Sequence, residues 1–226
     1  MKKIISFLLC IIIVLQANST VFAKPLNKAT EKKPCVISAI GDSITYAQTY
    51  AAVLDMLPEI NVKNYGICAT QVAGLADSSF VNRTKNVRFN SDYILVFGGT
   101  NDYMGDKAMC NPLGMPDSTD TITYFGAYNA MIKNLKKYNP KSKIVIVTPI
   151  RRKNWDMPND YGLGLQHYAL ATKMIAEQNG LPCIDLFNEP SCDFTGTDIL
   201  IDGIHPSIKG HTVIATVIYQ QLYAMK

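Results

Sequence analysis

Five short apolar runs alternate along the chain with longer segments of helical periodicity, and this alternation most restricts the possible folds. The runs predict strands at residues 36–40, 62–65, 93–97, 144–147 and 184–187. The periodic segments predict helices at residues 44–57, 119–138, 164–179 and 208–223. Runs that are apolar on both faces need cover on both sides of a sheet. The sequence therefore predicts an α/β fold, a three-layer α/β/α sandwich around a central parallel sheet.

The first 23 residues have the pattern of a secretory signal peptide. Lys2 and Lys3 precede the apolar run 4–15, and Ala23 follows at a position suited to cleavage. The run is shorter than the roughly 20 apolar residues that span a membrane. We therefore expect a secreted, periplasmic or cell-surface protein without stable membrane insertion after cleavage, a retained anchor being the alternative.

The rest of the chain is expected to form one domain. Residues 24–34 are polar and suggest a loose leader, and residues 35–226 suit a single α/β unit. The formal net charge is +4, and it falls to +2 without Lys2 and Lys3, because residues 1–23 hold no acidic residue. This near-neutral balance does not suggest a nucleic-acid partner.

Cysteine and histidine spacing predicts no metal site. The sequence contains no CxxC or HExxH motif. Cleavage after Ala23 leaves an odd number of cysteines, which cannot all pair within one molecule. These are Cys35, Cys68, Cys110, Cys183 and Cys192. Their pairing is not fixed by the sequence.

The loop after the first predicted strand contains Gly41-Asp42-Ser43. Parallel sheets place ligands at the carboxyl ends of their strands, so a serine here is a candidate nucleophile. Its backbone N–H is expected at a helix start, where negative charge is favoured. The structural alternative is that Asp42 or Ser43 caps this helix.

The last loop contains Asp202-Gly203-Ile204-His205-Pro206. A serine hydroxyl needs a neighbouring base to take its proton, and imidazole is suited to that task near neutral pH. Asp202 lies close enough in sequence to hold the ring of His205 in one tautomer. A purely structural His–Asp contact is the alternative.

Two further loops offer donors for a tetrahedral oxyanion. Asn101 follows the strongest predicted strand, within Gly98-Gly99-Thr100-Asn101-Asp102, and has a side-chain N–H. Gly66 follows the second strand and offers a backbone N–H. Preorganised donors of this kind stabilise the transition state by roughly 3–4 kcal/mol each. Alone, either residue would suit an ordinary turn.

Together these blocks resemble the SGNH hydrolase superfamily, the GDSL-like lipase/acylhydrolase family. The resemblance rests on Gly41-Asp42-Ser43, Asn64-Tyr65-Gly66, Gly99-Thr100-Asn101-Asp102 and Asp202-Gly203-Ile204-His205-Pro206, in that order. It covers nearly the whole expected mature chain. No serine lies in the G-x-S-x-G motif of the α/β-hydrolases.

The resemblance implies a flavodoxin-like fold and ester hydrolysis without a cofactor. It implies catalysis by Ser43, Asp202 and His205, and oxyanion donation by Ser43, Gly66 and Asn101. One departure is visible, because Cys68-Ala69 stands where the family often has Ser-Gly. Cys68 is a rival nucleophile, but no base is assigned to it.

The loop 150–161 follows a strand and is a candidate substrate wall. It contains Arg151 and Trp155, and the indole suits stacking on a sugar. The alternative is a surface loop held by one tryptophan. The loop 103–116 is a second candidate wall.

The resemblance leaves the substrate open. A short acyl ester, above all an acetyl ester on a carbohydrate, is the favoured substrate, since the sequence shows no long apolar insertion to cover a lipid. A lysophospholipase or thioesterase is the alternative enzyme. A catalytically inactive carbohydrate-binding relative is the alternative outside enzymes, and a repeat-free chain does not suggest a structural adhesin.

Overall fold

The computed structural model describes residues 33–47, 49–104, 110–196 and 198–225. The predicted signal peptide, 1–23, lies outside the described residues, as does all of the predicted leader except its last two residues. No helix in the described part of the chain has both the length and the apolar character needed to cross a membrane.

Five parallel strands form one sheet in the order β2-β1-β3-β4-β5. They are β1 (Cys35–Gly41), β2 (Ile60–Gly66), β3 (Tyr93–Phe97), β4 (Lys143–Val147) and β5 (Cys183–Ile184). The helices are α1 (Tyr50–Asp55), α2 (Phe80–Arg83), α3 (Thr100–Tyr103), α4 (Tyr124–Tyr138), α5 (Leu165–Gln178) and α6 (Ile208–Ala224). A short 3₁₀ turn spans Pro190–Cys192. The predicted α/β fold with a central parallel sheet is confirmed.

The core lies on both faces of this sheet. Alternate residues of β3 face opposite sides, so Ile94 and Val96 join the cluster that includes the buried residues of α4 and α5. Leu95 and Phe97 join the second cluster, which includes those of α1 and α6. Burial of apolar side chains on both faces stabilises the three-layer arrangement. Each Å² of apolar surface removed from water contributes roughly 25 cal/mol.

The segment after Ser43 differs from the prediction of a helix over 44–57. The carbonyl of Asp42 accepts from the N–H groups of Thr45 and Tyr46, which makes a single turn. Ala47 then has a φ of 58°, a left-handed conformation that interrupts a right-handed helix. Helix α1 therefore begins only at Tyr50, and the expected helix start beside Ser43 is wrong.

Local hydrogen bonds shorten two other predicted elements. Thr123 accepts from the N–H of Gly126 and caps α4, so this helix begins at Tyr124 and not near residue 119. Strand β5 ends at Ile184 because the chain turns there, and the N–H of Phe187 donates to Oγ1 of Thr148.

Candidate functional site

Three of the candidate loops leave the sheet side by side. Gly41 at the end of β1 pairs with Gly66 at the end of β2 and with Phe97 at the end of β3. In a parallel sheet the carboxyl ends of neighbouring strands meet at one edge. The loops that carry Ser43, Gly66 and Asn101 therefore start from the same edge, as the sequence predicted.

A chain of hydrogen bonds joins Ser43 to Asp202 through His205. The Ser43 Oγ atom lies 2.9 Å from Nε2 of His205, across 162 residues of sequence. Nδ1 of the same ring lies 2.7 Å from Oδ2 of Asp202. A carboxylate can only accept, so Nδ1 carries the proton and Nε2 is left to accept the serine hydroxyl proton. The three side chains predicted to act together are thus in contact.

The turn before His205 fixes the carboxylate of Asp202. Its Oδ1 atom accepts from the N–H groups of Ile204 (2.9 Å) and His205 (2.8 Å). The hydrogen bond from the His205 N–H is the largest of the effects that lower the pKa of Asp202 to about 2. Gly203 has a φ of 85°, which favours glycine within the turn. The carboxylate is therefore ionised at neutral pH and can stabilise an imidazolium.

Asn101 lies in α3, directly after β3. Its side-chain Nδ2 atom donates to the backbone carbonyl of Thr70 at 2.9 Å. The backbone carbonyl of Asn101 accepts from Nε2 of Gln71 at 3.0 Å. A side-chain amide has two N–H groups. One donates to the carbonyl of Thr70, and no hydrogen bond to a described residue uses the second.

Gly66 lies where β2 meets the loop that follows Ser43. Its N–H donates to Oδ1 of Asn64 at 2.8 Å, and Nδ2 of Asn64 donates to the carbonyl of Thr45 at 2.6 Å. Asn64 therefore joins the end of β2 to the nucleophile loop. An oxyanion would have to share the Gly66 N–H with Asn64 or displace that side chain.

Two carboxyl groups are buried beneath the loops. Oδ1 of Asp42 accepts from the N–H of Ile44 (2.9 Å), and burial raises the pKa of Asp42 to about 7. Asp102 accepts from the N–H groups of Val72 (2.9 Å) and Ala73 (3.0 Å). Burial raises the pKa of Asp102 to about 6. Both acids shape the loops that present Ser43 and Asn101.

Arg83 is a functional candidate that the sequence did not suggest. Its guanidinium donates to the carbonyl of Gly41 at 2.7 Å and also to that of Tyr65. It therefore joins the ends of β1 and β2, the strands that lead to Ser43 and Gly66. The proximity of these carbonyls depends on sheet pairing, so no local sequence signal identified this role.

Arg151 and Trp155 form a cluster with two other side chains. Nη1 of Arg151 pairs with Oδ2 of Asp193 at 2.9 Å, and its guanidinium lies 5.0 Å from the ring centroid of Trp155. The indole packs edge-on against Phe187, with centroids 5.4 Å apart. Nη1 of Arg151 is thus engaged by Asp193, whereas its Nε is buried without a hydrogen-bond partner. The indole is partly buried against the core. Their binding to substrate stays a prediction.

His211 predicts a pH dependence of stability. This side chain in α6 is only 7% exposed, and burial, together with the nearby charge of His205, lowers its pKa to about 4. A folded-state pKa below the unfolded value favours folding above pH 6.5, and this contribution is lost as the pH falls toward 4. We expect the free energy of unfolding to fall by about 2 kcal/mol when the pH is lowered from 7 to 5, because His211 is protonated more readily in the unfolded chain.

Urea unfolding of the wild type and of His211→Gln at pH 7 and pH 5 measures this contribution. Other titrating groups act in both proteins, so the difference between the two pH dependences isolates His211. Equal losses of stability on acidification in the two proteins would contradict the prediction.

Among the described residues, no group of three or more His, Cys, Asp and Glu side chains is arranged to hold a metal ion. Cys68, the rival nucleophile, is exposed, and neither Cys183 nor Cys192 forms a disulfide.

Comparison with known proteins gives a family match and several structural neighbours. The model of the GDSL-like Lipase/Acylhydrolase family matches residues 39–213. A protein from Lactobacillus plantarum superposes with a TM-score of 0.76 at 23% identity, covering 86% of this chain and 99% of its own. A possible lipase from Chitinophaga pinensis gives 0.71 at 22%, covering 84% and 98%.

A more distant neighbour is an enzyme of stated activity. A catalytic mutant of Axe2, an acetylxylan esterase from Geobacillus stearothermophilus, gives a TM-score of 0.58 at 17% identity, covering 85% of this chain and 96% of its own. At these identities the likeness shows the fold. No curated protein sequence matches the chain.

Proposed function

Because the chain belongs to the GDSL-like lipase/acylhydrolase family, we propose that it is a serine esterase with Ser43, His205 and Asp202 as its catalytic residues. The observation that carries this proposal is the contact chain from Ser43 Oγ through the imidazole to the carboxylate, at 2.9 and 2.7 Å. A nucleophile in contact with a base that is itself oriented by a third group is the arrangement required for acyl transfer.

In the first step, the Oγ atom of Ser43 attacks the ester carbonyl as Nε2 of His205 takes its proton. The carbonyl π electrons move to oxygen and form a tetrahedral oxyanion. Its collapse expels the alcohol, which receives the proton from His205, and leaves the acyl group on Ser43. Asp202 stabilises the imidazolium between these two transfers.

The oxyanion would be held by the N–H groups of Ser43 and Gly66 and by the side chain of Asn101. The second amide hydrogen of Asn101 supports this role, because the first already donates to Thr70. Donation by Gly66 requires Asn64 to yield the N–H that it now accepts. Such donors act where the charge develops and so favour the transition state.

In the second step, water replaces the alcohol. His205 takes a proton from water, the resulting hydroxide attacks the acyl carbon, and the same donors hold the new oxyanion. Collapse breaks the bond to Ser43 Oγ, which takes its proton back from His205 and releases the acid. The cycle needs no cofactor.

The proposed substrate is a short acyl ester, above all an acetyl ester on a carbohydrate. The acetylxylan esterase among the structural neighbours supports this choice, as does the export implied by the signal-peptide pattern of residues 1–23, with residues 35–226 as the secreted hydrolase domain. The chain also lacks a long apolar insertion that would cover a lipid tail.

A panel of p-nitrophenyl esters from acetate to octanoate, with acetylated xylan in parallel, tests the proposal. We expect ester hydrolysis with kcat/KM at least about tenfold higher for acetate than for octanoate, since the sequence shows no long apolar insertion that would cover the longer acyl chain. Acetate release from the polysaccharide should accompany it.

Other outcomes of the panel separate the alternatives. A rate that rises with acyl length would favour a lysophospholipase or thioesterase. Polysaccharide binding without any ester hydrolysis would identify an inactive carbohydrate-binding relative and would contradict the proposal.

A further inference from the structure

Arg152 lies next to the candidate site and is nearly buried. Its side chain is 9% exposed, and its guanidinium lies 4.9 Å from the ring centroid of Tyr103. Tyr103 is the last residue of α3, the helix that contains Asn101. Arg152 therefore borders the loop that offers the side-chain amide to the oxyanion.

The second neighbour of Arg152 is the turn that contains Asp202. The N–H of Lys153 donates to the carbonyl of Gly203 at 3.0 Å, which brings the backbone beside Arg152 against this turn. Arg152 and Asp202 also interact electrostatically. The guanidinium is thus placed on the side of the site that His205 occupies.

The hydrogen bonding of Arg152 is incomplete. A guanidinium has five N–H donors, and the described contacts give one hydrogen bond, from Nη1 to the carbonyl of Lys153 at 3.3 Å. Nε is buried without an acceptor, as Nε of Arg151 also is. In the described part of the chain, no carboxylate forms an ion pair with Arg152, whereas its neighbour Arg151 pairs with Asp193.

A desolvated guanidinium with unused donors binds carboxylates well, because its planar fork matches their geometry and little water must be removed. Burying such a cation without a partner is unfavourable, and a bound anion would remove that cost. The chemistry of Arg152 therefore suits an anionic group of a ligand.

The position of Arg152 indicates which part of the ester would bear the anionic group. His205 must protonate the leaving oxygen, so the alcohol portion of the substrate lies against the turn 202–205. Arg152 is the buried cation beside this turn, whereas Lys153, whose side chain lies beside Gly203, is exposed to solvent. An anion carried by the alcohol would approach it, while the acyl group lies on the side of Ser43.

We propose that Arg152 is a specificity-determining residue that binds a carboxylate on the alcohol portion of the ester, as an acidic sugar unit would present. This inference rests on the proposed esterase activity and narrows its substrate to acyl esters of anionic alcohols.

Two acetyl esters that differ in one group test the inference. In 4-acetoxybenzoate the alcohol portion bears a carboxylate, and in 4-acetoxybenzamide it bears a neutral amide of similar size. We expect wild-type kcat/KM to be at least about tenfold higher for the carboxylate, the effect of one charge-assisted bond. Arg152→Gln should abolish this preference and leave hydrolysis of the amide within about threefold of wild type.

Two further variants control for charge and geometry. Arg88→Gln removes the same charge from an exposed position and should keep the preference. Arg152→Lys retains the charge without the planar fork and should keep only part of it. Melting temperatures of all variants show whether each is folded.

The outcomes are distinct. Equal losses for both esters in Arg152→Gln would make Arg152 a positioning residue for Asp202 and overturn the inference. A wild type without the preference would overturn it even if the variants did not fold. If neither ester is hydrolysed, the proposed function itself fails, whereas amide-ester hydrolysis without preference refutes this inference alone.

Discussion

Replacing Ser43 with alanine is expected to lower kcat for p-nitrophenyl acetate by at least about 10⁴-fold. The change removes the one oxygen that lies 2.9 Å from Nε2 of His205. Without it, the imidazole can only assist the attack of water, and no acyl-enzyme forms. Initial rates and mass spectrometry of the protein after mixing with substrate measure both effects.

The loss should not come from unfolding. The turn after Ser43 is held by three hydrogen bonds to the carbonyl and carboxylate of Asp42, and none of them involves the serine hydroxyl. We expect a melting temperature within about 3 °C of wild type. Ser78→Ala, at an exposed position, is the matched control and should retain full activity.

A Ser43→Ala protein with more than a tenth of wild-type activity would remove Ser43 from the mechanism. The exposed thiol of Cys68 would then be the first candidate to examine. Inhibition of the wild type by iodoacetamide, and its absence in Cys68→Ser, would identify it.

Replacing Gly66 with alanine is expected to damage both stability and activity. The added Cβ would lie 2.4 Å from the backbone N of Tyr46 and 2.6 Å from the backbone C of Thr45. Main-chain atoms cannot rotate away as a side chain can, so the segment after Ser43 must shift. Overpacking of this kind costs about 3 kcal/mol, which lowers the melting temperature by about 6–12 °C.

Activity should fall by about 10²-fold or more, because displacement of a reacting group by about 1 Å has effects of that size. Gly196→Ala is the matched control, since no atom lies within 4 Å of its added Cβ, and it should resemble the wild type in both measurements. Wild-type rate and melting temperature in Gly66→Ala would show that this close approach is not required.

The strands and the order of the site residues could be predicted because each depends on local sequence. Residues 93–97 form a run with no polar interruption, and the structure has β3 over the same residues. The first predicted helix was too long because its periodicity continues through 44–49, where hydrogen bonds to Asp42 and the conformation of Ala47 set the backbone.

Side chains that join separate loops could not be predicted. Arg83 reaches the ends of β1 and β2, and Asn64 reaches the carbonyl of Thr45. Each role depends on which strands pair and in what register, information that a sequence pattern does not contain. The same holds for the two arginines after β4. Only the structure separates Arg151, which pairs with Asp193, from Arg152, which forms no ion pair with any described residue.

The hydroxyl of Ser43 and the imidazole that it contacts lie 162 residues apart in the sequence of the domain. Strand β1 can pair early, but His205 reaches it only when the residues just before α6 are in place. A newly made chain that lacks these residues would have a nearly complete sheet and no base for its serine. Hydrolytic competence would thus require the segment around residue 205 to dock on a sheet that is otherwise complete.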